Sequence, residues 1–202
     1  MLMYKLLLVE NYNDLSETAF RRLYENLPQE RQNRINRYRL IQDKNAAVVS
    51  WAMAQYLLKK EFGLAHWSVA YNAYGKPFLK DYPDIHFNIS HCKNGCLCAV
   101  SDQPIGIDIQ DITEFHWNIA EHACCFEELK VLQSAENPAQ SFTAMWTIKE
   151  SILKMTGYGI GAGLKEINSI IYQSRVAVTK RKNMIISVAA YDRLEGIKLC
   201  TD

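Results

Sequence analysis

The sequence predicts an α+β fold, in which helices pack on sheets that are mainly antiparallel. Segments whose apolar residues recur at helical spacing stand beside short runs in which apolar and polar residues alternate. Turn-forming residues separate these runs. The chain has 202 residues, of which 49% are apolar and 22% charged, so it is long enough to bury a sizeable core as one domain or as two closely packed halves.

The first predicted elements are a strand at residues 4–9 and a helix that opens near Asp14, where Asp14 and Glu17 have the spacing of a capping box. A short basic helical stretch follows. A long helix is then predicted over residues 44–62. Gly63 is its natural end, because glycine adopts the left-handed conformation of a helix C-terminus without strain.

Short strands dominate the middle of the chain, at residues 67–71, 86–90, 96–101 and 105–109. The turn sequence Asp-Gln-Pro at 102–104 is a natural seam, so we expect one half at residues 1–103 and a second at residues 104–202. The second half is predicted to contain helices over residues 118–156, broken near 137–138, and then β-structure over residues 167–199.

Charge and hydropathy exclude several classes of protein. Twenty-three basic and 22 acidic residues give a formal net charge of +1, whereas nucleic-acid binding needs a concentrated excess of cations. The N-terminal segment has only a four-residue apolar run, and no later stretch has the length of a membrane span. We therefore expect a cytoplasmic protein without nucleic-acid or membrane partners.

The six cysteines favour reduced thiols, because they show no regular framework and the chain is large enough to fold without disulfides. A zinc site is the alternative. It is disfavoured because Cys96 and Cys98 alternate along an apolar strand, which directs both to one buried face, and because the chain has no CxxC pair.

Polar side chains on one strand and one helix are the candidates for chemistry. Asp108 and Gln110 lie on one side of the strand IGIDIQ, whose other side is isoleucine. Glu150 and Lys154 are four residues apart on a helix and share a face. Taken alone, Asp108 is also compatible with a solvated edge strand, and Glu150 with Lys154 is compatible with an ordinary surface ion pair.

Together these side chains suit a phosphate ester held by magnesium. Mg²⁺ prefers a few carboxylate oxygens, completed by water and substrate phosphates, and Asp108 and Glu150 are sufficient anchors for it. Lys154 lies one turn beyond Glu150, where a diphosphate needs a counter-charge. His91 and Lys76 come from turn-rich segments that suit contacts to other phosphate oxygens.

Four ordered motifs carry a resemblance to a known family: GKPFL at 75–79, FNISH at 87–91, GIDIQ at 106–110 and WTIKESILKMTGYG at 146–159. In order and spacing they resemble the phosphopantetheinyl transferases of the larger pseudo-dimeric type, the surfactin-synthetase-activating class. The resemblance spans about 80 residues. It implies two similar α/β halves packed as a pseudo-dimer, with coenzyme A in the cleft between them, and a monomer that completes this cleft by itself.

The resemblance also implies roles at the acid cluster. Asp108 and Glu150 look like the magnesium ligands, and Glu150 is placed to deprotonate the carrier-protein serine directly or through water. Many relatives have Glu where this chain has Gln110, so the third protein oxygen on the metal is a neutral amide here or is replaced by water. Lys154 looks like the residue that stabilises the diphosphate.

Further residues are assigned to coenzyme A by the same resemblance. His91 looks like the residue on the ribose phosphate, and Ser90 and Lys76 look like nucleotide contacts. The basic cluster before the long helix matches the family loosely, and solvated helix charges are the alternative interpretation for its members. Its candidate coenzyme contacts are Arg31, Arg34 and Lys44.

The implied reaction transfers the phosphopantetheine arm of coenzyme A to a serine of an acyl or peptidyl carrier protein and releases adenosine bisphosphate. The surroundings of Lys76 and the region 115–130 are candidate docking surfaces for the carrier. A magnesium-dependent nucleotide hydrolase, with water as nucleophile, is a rival enzyme. A non-catalytic module that binds coenzyme A is a third hypothesis, for which Gln110 is the sequence hint.

Overall fold

Two sheets, each packed against one long helix, form the framework of the protein. The computed structural model describes residues 4–159, 163–172, 175–191 and 199–200. Within them, helices pack on sheets whose strands are antiparallel except for one pair, a mixed α/β structure of the kind that the predicted α+β class describes. Among the described helices, none is both long enough and apolar enough to cross a membrane.

The first sheet has the strand order β4-β5-β1-β9. Its strands are β1 (Tyr4–Glu10), β4 (His86–Cys92), β5 (Gly95–Ser101) and β9 (Leu199–Cys200), and only β1 and β9 run parallel. β5 is buried along its whole length against helix α3 (Ile41–Phe62). Trp51 of α3 packs edge-on against Phe87 of β4, which makes aromatic rings the centre of this core.

The helices between β1 and α3 differ from the prediction at one boundary. A 3₁₀ turn (Tyr12–Asp14) precedes α1 (Glu17–Glu25), and α2 (Gln29–Ile35) follows. The predicted helix start near Asp14 is wrong, because the Ser16 side chain accepts the N–H of Ala19 and caps the helix there. Gly63 ends α3 as predicted, with a φ of 69°.

The second sheet has the order β6-β8-β7 and carries helix α6 (Pro138–Thr156). Its strands are β6 (Ile105–Asp111), β7 (Val176–Arg181) and β8 (Met184–Ala190). The remaining elements are the hairpin β2 (Val69–Tyr71) and β3 (Pro77–Leu79), helices α4 (Trp117–Ala123), α5 (Phe126–Gln133) and α7 (Ser169–Tyr172), and a 3₁₀ turn (Leu164–Glu166). The predicted β-tail is therefore found mainly as β7 and β8, and part of it lies outside the described residues.

The two sheets meet where β4 runs beside β6. Asn88 Oδ1 accepts the N–H of Ile107 at 2.9 Å, and Ser90 Oγ accepts the N–H of Ile109 at 3.4 Å. Side-chain oxygens of β4 thus satisfy main-chain donors of β6. Isoleucines of β6 also share one buried apolar cluster with leucines of β1 and β5, so a continuous core supports this joint.

One helix packs against β6 at unusually short range. A Cβ added at Gly106 would lie 1.9 Å from the carbonyl oxygen of Ser151 and 2.3 Å from the nitrogen of Met155, both on α6. Glycine is therefore required here by the close approach of two backbones. This contact fixes α6 directly over the strand that carries Asp108.

The cysteines with described side chains are free thiols, as predicted. Cys96 and Cys98 are buried in the first core, and burial raises the pKa of Cys96 to about 12. Burial of Cys96 and Cys98 on one face of β5 is the arrangement that their alternation predicts. The side chain of Cys200 lies outside the described residues.

Candidate active site

Asp108 is a buried carboxylate at the joint between the sheets, with 1% of its surface exposed. Its Oδ1 accepts hydrogen bonds from Ser90 Oγ and from Lys154 Nζ, each at 2.7 Å. Its Oδ2 accepts a longer bond of 3.3 Å from Gln110 Nε2. The structure thus gathers Asp108, Ser90, Gln110 and Lys154 from β4, β6 and α6, although they are up to 64 residues apart in the chain.

Glu150 lies beside this cluster with 5% of its surface exposed, and its Oε1 is buried without a hydrogen-bond partner among the described residues. Burial raises the pKa of its carboxyl group, and the charge of Asp108 raises it further, whereas Lys154 acts in the opposite direction. The two acids are therefore close enough for their charges to repel each other.

This arrangement fits a divalent cation. An unpartnered carboxylate oxygen and two repelling acids on rigid elements are the features that such an ion would neutralise, and Mg²⁺ needs few protein ligands. Gln110 presents its NH₂ group to Asp108, so its amide would have to rotate to offer an oxygen to the metal. Asp108 and Glu150 would hold the ion, and the Gln110 assignment stays a prediction.

Lys154 and Ser90 form a bonded group with Asp108. Lys154 Nζ donates to Ser90 Oγ at 2.8 Å as well as to Asp108, and the lysine side chain is 28% exposed. Ser90 is only 6% exposed. Its hydroxyl donates to Asp108 and accepts from Lys154 and from the N–H of Ile109, which uses its whole hydrogen-bonding capacity. The structure therefore places Ser90 inside the acid cluster, and its predicted nucleotide contact would need one of these bonds to break.

His91 and Lys76 both lie near the C-terminal turn of α6. His91 follows Ser90 on β4, and desolvation, followed by the charge of Lys154, lowers the pKa of its imidazole. Lys76 Nζ donates to the carbonyl oxygen of Met155 at 3.0 Å, and burial lowers its pKa to about 8. Both side chains thus lie near the end of α6, and their phosphate-binding roles stay predictions.

The three basic candidates before and within α3 differ in placement. Arg31 is 7% exposed, its guanidinium lies 3.6 Å from the ring centroid of Trp51, and its Nη2 has no partner among the described residues. Burial lowers its pKa to about 10. The interpretation of Arg31 as a solvated helix charge is therefore wrong, because its charge is held on an aromatic ring.

Arg34 and Lys44 are less buried than Arg31, and the Arg34 guanidinium lies 5.6 Å from the ring centroid of Tyr71. Arg34 is exposed, and its Nη1 donates to the hydroxyl of Tyr71 at 3.1 Å, on the same ring that Arg31 approaches. Lys44 is half-buried and lines a separate cavity between α1 and α3, together with Phe20 and Tyr24. The structure brings Arg31 and Arg34 to Tyr71 and places Lys44 on that other cavity.

Two features of the site were not predicted from the sequence. Asn72 donates to the carbonyl oxygen of Gly157 at 2.9 Å and accepts the N–H groups of Tyr74 and Lys76, so it orders the turn that carries Lys76. Tyr74 also packs edge-on against Tyr158, with ring centroids 5.6 Å apart. The Asn-x-Tyr-Gly turn signal was visible in the sequence, but its contact with the end of α6 was not.

A cavity of about 290 Å³ opens beside Gln110 in the second half. Its walls are mainly apolar and include Phe115, Phe142 and Trp146. Trp117, Ile119 and Phe126 are exposed nearby along the chain, on α4 and α5. Exposed Trp117 packs edge-on against Phe115 of the cavity wall, so an open apolar surface reaches the acid cluster at Gln110.

Comparison with known proteins gives the family. The model described as "4'-phosphopantetheinyl transferase, N-terminal" matches residues 14–103, and the model of the 4'-phosphopantetheinyl transferase superfamily matches residues 104–188. The chain is 35% identical over 201 residues to the 4'-phosphopantetheinyl transferase gsp of Aneurinibacillus migulanus, which covers 97% of this chain and 84% of that protein. The chain belongs to the 4'-phosphopantetheinyl transferase superfamily.

Other members of this superfamily are similar over most of the chain. The 4'-phosphopantetheinyl transferase psf-1 of Bacillus pumilus is 29% identical over 173 residues, covering 82% of this chain and 74% of that protein. The 4'-phosphopantetheinyl transferase Sfp of Bacillus subtilis is 27% identical over 163 residues, covering 79% and 73%. The resemblance drawn from the four motifs is confirmed, and so is the predicted enzyme class, a phosphopantetheinyl transferase.

Proposed function

We propose that this transferase moves the phosphopantetheine arm of coenzyme A to a serine hydroxyl of an acyl or peptidyl carrier protein, with Mg²⁺ as cofactor and adenosine bisphosphate as the second product. The acid cluster is the observation that carries the proposal. Glu150 has an unpartnered buried oxygen beside Asp108, and Lys154 adds a partly exposed ammonium at the same place. This is the charge arrangement that a metal-bound diphosphate needs.

In the proposed reaction the serine oxygen bonds to the phosphorus of the pantetheine phosphate, and the bond from that phosphorus to the bridging oxygen breaks. Glu150 takes the serine proton directly or through water. Lys154 neutralises charge on the departing phosphate. Bound Mg²⁺ supplies further neutralisation of the diphosphate, and general-base help adds about 10²–10⁴-fold.

Cations of the first half are proposed to hold the rest of coenzyme A. Arg31 is the best supported, because its Nη2 is buried without a described partner while the guanidinium is fixed on Trp51. Arg34 and Lys76 supply further positive charge for phosphate oxygens, and His91 supplies an imidazole N–H donor. Lys44 is proposed as a more distant contact.

We also propose that the two halves form a pseudo-dimer and that one chain completes the cleft as a monomer. An antiparallel sheet with one long helix recurs in each half, as α3 on the first sheet and α6 on the second. The two family models adjoin between residues 103 and 104, where the predicted boundary lies. β9 returns from the second half to pair with β1 of the first sheet.

The carrier protein is proposed to dock on the open apolar surface beside Gln110. Trp117, Ile119 and Phe126 are 42%, 45% and 66% exposed, and they lie within the predicted region 115–130. Exposed aromatic side chains next to an apolar cavity suit a transient protein contact. This surface would deliver the serine to the side of the cluster on which Gln110 stands.

Mass spectrometry of an apo carrier protein tests the proposal. Incubation with coenzyme A and Mg²⁺ is expected to add the mass of one phosphopantetheine group. Asp108→Ala and Glu150→Ala should each abolish this gain while the protein remains folded, whereas Asp14→Ala, which removes an exposed carboxylate, should leave it unchanged. Adenosine bisphosphate release without a mass gain would favour the hydrolase, and coenzyme binding without either product would favour the non-catalytic module.

A further inference from the structure

Every oxygen of Asp108 is already bonded by a donor of the protein. Ser90 and Lys154 hold Oδ1, and Gln110 holds Oδ2. Among these donors only Lys154 carries a charge, and its Nζ lies 2.7 Å from the carboxylate oxygen. A divalent ion that binds Asp108 Oδ1 would therefore compete with the Lys154 ammonium group for this oxygen.

The lysine is the partner that has room to move. Its side chain is 28% exposed, whereas that of Asp108 is 1% exposed and set in the sheet. Lysine also carries its charge on a flexible four-carbon stem, so the ammonium can swing while the α6 backbone stays in place. Two cations on one carboxylate oxygen repel strongly at this depth, so the ion and the ammonium exclude each other from Oδ1.

We propose that Lys154 is the internal counter-ion of Asp108, which the divalent ion must displace, and that the displaced ammonium then takes the diphosphate of the coenzyme as its new partner. Metal binding and coenzyme binding are thereby coupled through one side chain. This inference rests on the proposed function for the identity of the two ligands. Lys154 thus has two roles: it couples the binding of the two ligands, and it contacts the substrate.

Two consequences follow by linkage. The metal alone binds weakly, because it must break the Lys154 contact with Asp108 without giving the ammonium a replacement. Coenzyme A provides that replacement, so each ligand increases the affinity for the other by the same factor. A lysine that only touched the diphosphate would leave the affinity for the metal alone unchanged when it was removed.

Titration with Mn²⁺, followed by electron paramagnetic resonance at about pH 8 without coenzyme or carrier, tests the inference. Lys154→Met is expected to bind Mn²⁺ about tenfold more tightly or better than the wild type, because the competing charge is gone. Lys180→Met is the control. It removes an exposed cation whose Nζ bonds the Gln140 side-chain oxygen instead of a carboxylate, so its Mn²⁺ affinity should stay within about twofold of wild type.

Lys154→Arg keeps the charge and should retain the weak binding of the wild type. Lys154→Gln removes the charge but keeps a hydrogen-bond donor for Ser90. If Lys154→Met does not fold, the Mn²⁺ affinity of Lys154→Gln is compared with that of the wild type instead. Unchanged Mn²⁺ affinity in the folded neutral variants would overturn the inference. Adding coenzyme A should then tighten Mn²⁺ binding of the wild type by a larger factor than that of Lys154→Met, and equal factors would likewise contradict it.

The failures of the two proposals are distinguishable. A wild-type protein that adds no mass to any apo carrier protein would contradict the proposed function, while the Mn²⁺ titration would still report on Lys154. If the wild-type protein modifies the carrier normally but replacement of Lys154 leaves the Mn²⁺ affinity unchanged, the proposed function stands and the inference is wrong.

Discussion

Replacing Gly106 by alanine tests how closely the site depends on backbone packing. The added Cβ would lie 1.9 Å from the carbonyl oxygen of Ser151 and 2.8 Å from the Cα of Met155. Atoms of this kind prefer separations of about 3.5 Å, so α6 would have to retreat from β6 by about 1 Å or more. The obstructing atoms belong to backbone, which cannot rotate away as a side chain does.

The expected magnitude follows from this geometry. Overpacking costs typically about 1–3 kcal/mol, and we place Gly106→Ala at the upper end because two main chains must separate. The free energy of unfolding should fall by about 3 kcal/mol, which lowers the melting temperature by about 6–12 °C in a protein of this size. The same shift pulls Lys154 from Asp108, so transfer should slow by about 100-fold.

Urea denaturation and the carrier-protein assay measure the two effects. Gly95→Ala is the matched control, because its Cβ would meet the ends of flexible side chains, Met184 Sδ at 3.0 Å and Ile109 Cδ1 at 3.1 Å. Its cost should stay below about 1.5 kcal/mol, with near-normal transfer. If Gly106→Ala matched Gly95→Ala in stability and rate, the argument from backbone approach would be refuted.

Two further predictions concern the acid cluster. Ser90→Ala should lower kcat for transfer about tenfold and leave KM for coenzyme A unchanged, because the Ser90 hydroxyl donates to Asp108. In steady-state kinetics, a change confined to KM would support a nucleotide contact instead. Burial raises the pKa of Glu150 in the folded protein when a chelator keeps metal away. Its contribution to the free energy of unfolding is therefore fully present below the ordinary pKa of 4.5 and is lost as the pH rises through the raised pKa. Glu150→Gln should therefore melt at a higher temperature than wild type at about pH 8, with the difference shrinking toward pH 4.5, and a gap independent of pH in a thermal-shift assay would contradict this.

Local patterns predicted the fold where one interaction dominates. The alternation in IGIDIQ correctly placed its isoleucines in the core, and Gly63 correctly ended α3. The start of α1 was wrong because Asp14 and Ser16 compete as caps, and spacing alone does not decide between two acceptable side chains. The closeness of α6 to Gly106 was also hidden, since it depends on how two remote elements pack.

Some features of the candidate site were predictable from the sequence, and others depend on the tertiary structure. Asp108, Glu150 and Lys154 were predicted together, and the structure brings them into one cluster. The burial of Arg31 was not predictable from its basic surroundings, because it results from stacking on Trp51, 20 residues further along the chain. Ser90 was assigned to the nucleotide by analogy, and only the tertiary structure reveals that its hydroxyl is already committed to the protein.

The joint between β4 and β6 has a consequence for how the protein tolerates change. A ladder of main-chain bonds accepts almost any side chain, but here the amides of Ile107 and Ile109 depend on Asn88 and Ser90 for their acceptors. Sliding one strand past the other by a single residue would present the wrong side chains to those amides and would carry Ser90 away from Asp108. Alignment of the two sheets and assembly of the acid cluster thus depend on the same contacts, and slow exchange of these two amide protons with solvent would report both.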